Sequence, residues 1–428
     1  MLWDEVEVIR VLAPSEARFV RHGTYTGRSV SVVGALDTAA LRSAFVAVLR
    51  ANPILSCRIM ETSGGQGVLV RPRGGDAVGA TVADGADDVR LPIEPIDPAT
   101  QLAYLDITAC GPHRWRTTLY NHHSIGDGSY GIDLMAQLWS HYTDLVQGSA
   151  ARVVPRRYPQ SLEWWLAHNG VGKSSVSGLE TLTRPLAPAV TDPPADETPQ
   201  VANSLVRPRY TSLDEASTAA LIRLGRRHGV SVNGLLTAAL LRVHARETSG
   251  ASGDPAAVGC LYPVDLRRRL PAPVGCGAGT NMGGLASFAA VIGRSTGLLA
   301  LAHAICDRLR ADLDHGVVQQ SAWHFPEFFG RNKTRAFTEH VAITNTGAVP
   351  AFRTPEGLTL GAYELVYLSA HPRPSAGPGA AVTFLAYTYA GKLTLGQLGS
   401  GHHGLLSAAR SELMASLTES GDVFAGAR

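Results

Sequence analysis

Residues 121–128 read Asn121-His122-His123-Ser124-Ile125-Gly126-Asp127-Gly128, and the reading of the whole chain turns on how this stretch folds. Two adjacent histidines followed by Asp127-Gly128 put a base, an acid able to orient it and a flexible backbone within one turn. Imidazole is the side chain that titrates nearest neutral pH, so it takes and returns a proton without extreme tuning. A carboxylate held nearby can fix the ring's tautomer or lock the loop that carries it. Gly128 is expected to allow a tight turn from strand to helix. Upstream, Trp115-Arg116-Thr117-Thr118-Leu119-Tyr120 is aromatic and β-branched, as a strand requires. Downstream, Ile132, Met135, Leu138, Trp139, Tyr142, Leu145 and Val146 recur at helical spacing, with Ser129 the candidate N-cap. His123 is therefore expected at the mouth of a strand-to-helix turn, both rigid and reachable. A buried structural histidine pair beside a solvated aspartate is the bland alternative, and the full pattern in this context disfavours it.

Other segments follow the motif's lead. Asp37 opens an amphipathic helix with Leu41, Phe45, Val48 and Leu49 on one face, stopped at Asn52-Pro53. Residues 61–100 read as hairpins and loops. Trp164-Trp165 reads as a core or interlobe anchor rather than a substrate platform. Residues 171–206 hold five prolines (Pro185, Pro188, Pro193, Pro194, Pro199) and little apolar periodicity, which marks a linker or crossover. Beyond it, Ser212 and Glu215 suggest a capping box for a helix ending near Gly229. Ser231 starts another helix, containing Leu235, Leu236, Ala239, Leu240 and Val243. Gly279 and Gly283-Gly284 are expected to break their segment into turns, and several strands lie between Ala342 and Leu395. Helices alternate with strands in both halves, so the fold class is α/β in two similar lobes. The boundaries are 1–175 for the lobe carrying the motif, 176–206 for the crossover and 207–428 for the second lobe. His402-His403 is a pair without a following Asp-Gly and reads as a surface or packing feature.

Bulk composition narrows the function. At 428 residues the chain exceeds a usual single domain, and its 45% apolar content is ordinary for a globular core. A net charge of +2 without a dense basic block argues against nucleic acid as a partner. The five cysteines (Cys57, Cys110, Cys260, Cys276, Cys306) form no C-x-x-C pair and are odd in number, so neither a disulfide framework nor a metal site is expected. The acidic start lacks a basic signal-peptide region and no apolar run has membrane-spanning length, which leads to the expectation of a cytoplasmic protein without a transmembrane segment.

His122-His123-Ser-Ile-Gly-Asp127-Gly128 resembles the HHxxxDG signature of the condensation-domain, chloramphenicol-acetyltransferase-like acyltransferase superfamily. The chain looks most like the stand-alone polyketide-associated acyltransferases of mycobacteria and related actinobacteria. The likeness spans nearly the whole chain. Leu36–Ile59, with Asn52-Pro53-Ile54-Leu55, resembles the family's first helix and turn, and Tyr262-Pro263-Val264-Asp265-Leu266-Arg267 its second-half segment. Gly279-Thr280-Asn281 and Thr344-Asn345-Thr346-Gly347 fall where the later strand motifs belong. The resemblance implies two sandwich lobes arranged as a V, with the active site at their junction. It further implies that Asp127 points away from substrate and pairs with an arginine, Arg267 first and Arg58 second.

The residues then suggest an acyl transfer. His123 is the candidate general base, abstracting a proton from an alcohol or amine as it attacks a carbonyl; such a base supplies ~10²–10⁴-fold. No G-x-S-x-G and no cysteine beside the motif offers a nucleophile, so direct transfer from a thioester is favoured over a covalent intermediate. The thioester, on phosphopantetheine or coenzyme A, is a co-substrate; no resident cofactor is expected and no cofactor-binding residues are identified. His122 reads as structural, and the oxyanion donor is left between the Gly128 N–H and the Asn281 amide. The plant-type Asp-Phe-Gly-Trp-Gly box is absent, which favours the bacterial branch and an acyl-carrier protein supplied in trans. Arginines at 207, 209, 226, 227 and 267–269 are candidates for its docking face. The favoured product is an ester of a polyketide, lipid or other secondary metabolite. Amide formation by a free-standing condensation enzyme, or a cyclase or epimerase on the same fold, is compatible with every one of these motifs.

Overall fold

The computed structural model describes residues 5–74, 79–150, 152–191, 203–250, 254–370, 379–399 and 404–419. The pair His402-His403 and the prolines 193, 194 and 199 lie outside the described residues. Two six-stranded sheets organise an α/β fold of two lobes. In the first, strands run Ala80–Asp84, Ala103–Gly111, Arg114–His122, Thr24–Val33, Thr359–Ser369 and Ser204–Val206 across the sheet. The second runs Arg209–Ser212, Lys392–Leu398, Ala380–Tyr389, His340–Ala348, Ala256–Asp265 and Gly283–Ile292.

Helices Thr38–Ala51 and Gly128–Val146 cover the first sheet. Leu41, Phe45 and Val48 of one pack with Leu134, Met135, Leu138 and Trp139 of the other, all buried in one core. Asp37 caps the first of these helices through its carboxylate to the Ala40 N–H. The second lobe is built around the apolar helix Val232–Ser249, capped by Ser231 and buried along Leu235–Leu241.

The lobes exchange segments. Strand Thr359–Ser369 belongs to the sheet of the motif-bearing lobe, where it pairs antiparallel with Thr24–Val33 and Ser204–Val206. In the other direction Leu162, Leu166 and Leu179 are buried in the core of the second lobe. The crossover is not a bare linker: Thr183–Thr191 pairs with Asn332–Phe337, and Leu179 and Leu182 are buried. Pro185 and Pro188 fit because this two-stranded ribbon is an edge, where a missing N–H is tolerated.

Three local expectations are corrected. Asp214, not Ser212, caps helix Glu215–Arg227, by accepting from the Ser217 N–H; Ser212 ends the preceding strand. Gly283-Gly284 opens the strand Gly283–Ile292 rather than a turn, because Gly284 lies against the Val318 carbonyl and Leu266, where a side chain would collide. Asp127, not Ser129, is the N-cap of the motif helix.

Candidate active site

Strand Arg114–His122 delivers the motif, and its pairing with Thr24–Val33 sets Tyr25 opposite His122. His122 is fully buried, edge-on to the Tyr25 ring, and its Nδ1 accepts from the Ser124 N–H at 3.3 Å. Burial, with His123 alongside, pushes its pKa down to about 3, so this ring is neutral.

His123 sits one residue past the strand. Its backbone N–H donates to the Thr24 carbonyl at 2.7 Å, and its ring, still partly exposed, stacks on Phe19 at 4.2 Å between centroids. Nδ1 lies 3.0 Å from the Gly126 carbonyl. Nδ1 also lies 3.4 Å from Asn281 Nδ2, but the Gly126 contact is the shorter and a carbonyl can only accept, so Nδ1 carries the proton and Nε2 keeps its lone pair. Burial, helped by the charges of Arg18 and Arg28, outweighs the Gly126 bond and Asp127 and moves the pKa down to about 4. The ring is therefore an unprotonated base at neutral pH.

Close packing explains the motif's glycines better than backbone freedom does. A methyl at Gly126 would strike the Tyr130 ring and crowd the Asn121 amide, and one at Gly128 would lie 3.0 Å from Thr346 Cγ2. Gly128 is the first helical residue and not a left-handed turn, which corrects the expectation for it. The same contact sets the Thr344–Gly347 segment across from the start of the motif helix.

Asp127 is turned away from the histidine. Its Oδ1 accepts from the Tyr130 N–H at 3.1 Å; its Oδ2 accepts from Arg267 Nη1 at 2.6 Å and the Met282 N–H at 2.9 Å. Burial alone would raise this carboxyl, but the Arg267 charge and these hydrogen bonds prevail and hold it below the usual carboxylate range. Arg267 is buried and also pairs with Asp265 at 3.2 Å, whose other oxygen accepts from Ser129 Oγ at 2.8 Å. Arg58 lies in the strand Arg58–Glu61 and makes no bond to Asp127, whose three partners are those named.

Three consecutive residues of the second lobe lock onto the first. Thr280 Oγ1 donates to Glu16 Oε1 at 2.6 Å, Asn281 Nδ2 to the His123 carbonyl at 3.2 Å, and the Met282 N–H to Asp127. Glu16 is held from its other side by both terminal nitrogens of Arg10, each at 2.6 Å, while its carbonyl accepts from Ser124 Oγ at 2.7 Å. Trp165 adds an anchor by donating from Nε1 to the Ala278 carbonyl at 3.1 Å. One N–H of the Asn281 amide is thus spent on the His123 carbonyl, and the second remains beside the histidine.

Sequence reasoning missed Arg28, Glu16 and Asp265. Arg28 is buried with no carboxylate partner among the described residues; it donates to Asn121 Oδ1 at 3.0 Å and to the carbonyls of Asp127 and Gly128 at 3.1 and 3.3 Å. Asn121 in turn donates to the His122 carbonyl at 3.2 Å, so Arg28 braces the motif loop from beneath. The available signal was an arginine inside a strand with no other charged residue, where a charge needs a reason. Among the described residues, no group of three or more His, Cys, Asp or Glu could hold a metal ion.

Two lobes joined at a histidine, with the aspartate of the same motif spent on an arginine of the second lobe, define a condensation-fold acyltransferase. Comparison with known proteins agrees. Residues 202–398 match the family model for the phthiocerol/phthiodiolone dimycocerosyl transferase C-terminus. The phthiocerol/phthiodiolone dimycocerosyl transferase of Mycobacterium tuberculosis strain H37Rv is 32% identical over 364 residues, 82% of this chain and 84% of that protein. The Mycobacterium leprae protein of the same name is 33% identical over 368 residues with the same coverage. The structure of polyketide synthase associated protein 5 from Mycobacterium tuberculosis superposes with a TM-score of 0.78 at 29% identity, covering 97% of this chain and all of that one (100%). The epimerization domain of tyrocidine synthetase B shares the fold at a TM-score of 0.65 and 14% identity, with 97% of each chain covered. The chain belongs to the phthiocerol/phthiodiolone dimycocerosyl transferase family and is an acyltransferase.

Proposed function

We propose that this acyltransferase moves an acyl group from a phosphopantetheine thioester to a hydroxyl of a lipid or polyketide, with His123 as general base. The observation that carries this reading is the 3.0 Å contact of Nδ1 with the Gly126 carbonyl, which assigns the proton to Nδ1 and leaves Nε2 to take another. The acceptor oxygen attacks the thioester carbonyl as Nε2 removes its proton. The tetrahedral intermediate collapses with cleavage of the C–S bond, and the imidazolium returns the proton to the departing thiolate, giving ester and free thiol. The Gly128 N–H, at the positive end of its helix, is the oxyanion donor in this scheme, with the second N–H of Asn281 the other candidate.

The donor in this reading is an acyl-carrier protein acting in trans, with coenzyme A as the simpler substitute. Of the arginines proposed for docking, Arg267 is buried in the site, and Arg207 is paired with Asp88 and Glu364. Arg268 and Arg269, exposed beside Arg267, and exposed Arg226 and Arg227 support the basic face. A cytoplasmic setting is supported by the unpaired cysteines; no helix of the described residues is long and apolar enough to cross a membrane.

The deciding experiment incubates the protein with acyl thioesters on a carrier protein or coenzyme A and with long-chain alcohols or amines, read by mass spectrometry. Ester formed by the wild type and not by His123→Ala is expected. Amide from amines with no ester from any alcohol would replace this reading with a condensation enzyme.

A further inference from the structure

Arg18 has figured so far only as a charge near His123. It follows the short helix Pro14–Ala17 and reaches across the junction to the second lobe. Its guanidinium carbon lies 4.7 Å from the centre of the Phe19 ring, 4.5 Å from that of Phe325 and 5.5 Å from that of Phe329. Nη2 approaches Asn281 Oδ1 at 3.4 Å, and Nε is sealed from solvent with no hydrogen-bond partner. No carboxylate of the described residues forms an ion pair with it. A cation so placed, partly exposed as a residue but sealed at Nε, is held by three ring faces and a single long hydrogen bond.

What those contacts touch is informative. Phe19 is the ring that stacks on His123, and Asn281 is the amide that donates to the His123 carbonyl. Accepting from Arg18 obliges Asn281 to present its oxygen to the guanidinium and its nitrogen to the histidine. We infer that Arg18 is a positioning residue for the transfer reaction, fixing the ring of His123 through Phe19 on its own lobe and the backbone of His123 through Asn281 on the other. This rests on His123 being the base.

Arg18 also acts through its charge. The ionic groups that act on His123 are Arg18 from the N-terminal segment, Arg28 from the strand beneath, and Asp127 from its own loop. From the second lobe, Arg267 faces the junction but is bound to Asp127 and Asp265. Glu16 is bound by Arg10, Glu163 acts on Arg18, and His122 is neutral. Among the described residues, Arg18 and Arg28 are thus the two cations beside the base that lack carboxylate partners. Burial, partly opposed by Glu163, brings Arg18's own pKa down to about 10, still charged at neutral pH.

The test uses Arg18→Met, which keeps the stem and removes charge and donor, and Arg18→Lys, which keeps charge without the planar fork. His123 is titrated by NMR in the full-length protein, and kcat, KM and their pH profiles are measured with one thioester and one alcohol. In Arg18→Met the His123 titration and the acid limb of kcat/KM should both move upward, with kcat at least tenfold lower and KM within about twofold. In Arg18→Lys the acid limb should stay near its wild-type position while kcat falls severalfold. An unmoved titration with kcat within twofold of wild type in Arg18→Met overturns the inference. So does an acid limb in Arg18→Lys displaced toward the ordinary imidazole value of about 6.5, because charge would then be irrelevant; this arm stands if Arg18→Met fails to fold. Turnover retained by His123→Ala would instead sink the base assignment, and the NMR titration would still judge Arg18.

Discussion

Asp127→Ala separates a structural aspartate from a chemical one. The carboxylate makes three bonds, and the side chains of Asp127 and Arg267 are only 14% and 6% exposed, so their pairing is a buried one. Removing one member of such a pair destabilises by ~3–5 kcal/mol, and the Asp265 contact left to Arg267 argues for about 3. Loss of the N-cap to Tyr130 adds about 1 kcal/mol, for a total of about 4. Asp127→Ser keeps a capping oxygen and should recover only that last part. Urea unfolding followed by tryptophan fluorescence at pH 7 measures both. The sign with pH is defined: a carboxyl held low when folded stabilises fully above its unfolded value of about 3.9 and loses that stability as pH falls through its folded value. Neutral pH therefore reads the whole effect. An Asp127→Ala protein within 1 kcal/mol of wild type yet inactive would refute the structural role and return Asp127 to the chemistry.

His123→Ala should lower kcat by ~10²–10⁴-fold with little change in thermal melting, and more than a small residual turnover would remove it as the base. Because a base works unprotonated and burial lowers this one to about 4, the acid limb of kcat/KM should fall near pH 4; a limb at about 6.5 would contradict the geometry. Gly131→Ala would drive a methyl into the Arg28 guanidinium, so ~1–3 kcal/mol of stability and much of the activity should go, checked by melting and turnover. Carrier-dependent rates should fall steeply with salt, since exposed charges are screened within ~8–10 Å, while a small thioester's rate stays level; equal salt dependence would count against the basic face.

The motif could be read because its information is local. Strand, turn and helix around His123 lie within one continuous stretch, and periodicity reports each of them. Both cap identities failed by two positions because Asp and Ser both accept from helix N–H groups, and only the chain's path chooses between Asp127 and Ser129. Arg18 left no trace, since the amide that it meets, Asn281, is 263 residues away. Glu16 was equally silent, as Thr280 lies 264 residues from it. The sequence places strands between Ala342 and Leu395 but does not say which sheet receives Thr359–Ser369, because both lobes offer a sheet for it to join.

That strand gives the protein a birth order. During synthesis Thr24–Val33 and Arg114–His122 emerge early, yet the neighbour of Thr24–Val33 on its other side is supplied only once residue 369 has left the ribosome. Until then the motif-bearing sheet has an open edge beside its central strand, a template for the wrong partner. Chains arrested anywhere before this point carry His123 on a sheet that lacks the strand flanking Thr24–Val33. The histidine should therefore be late to mature although it is encoded in the first third of the chain, and premature release would yield aggregates rather than a working half-enzyme.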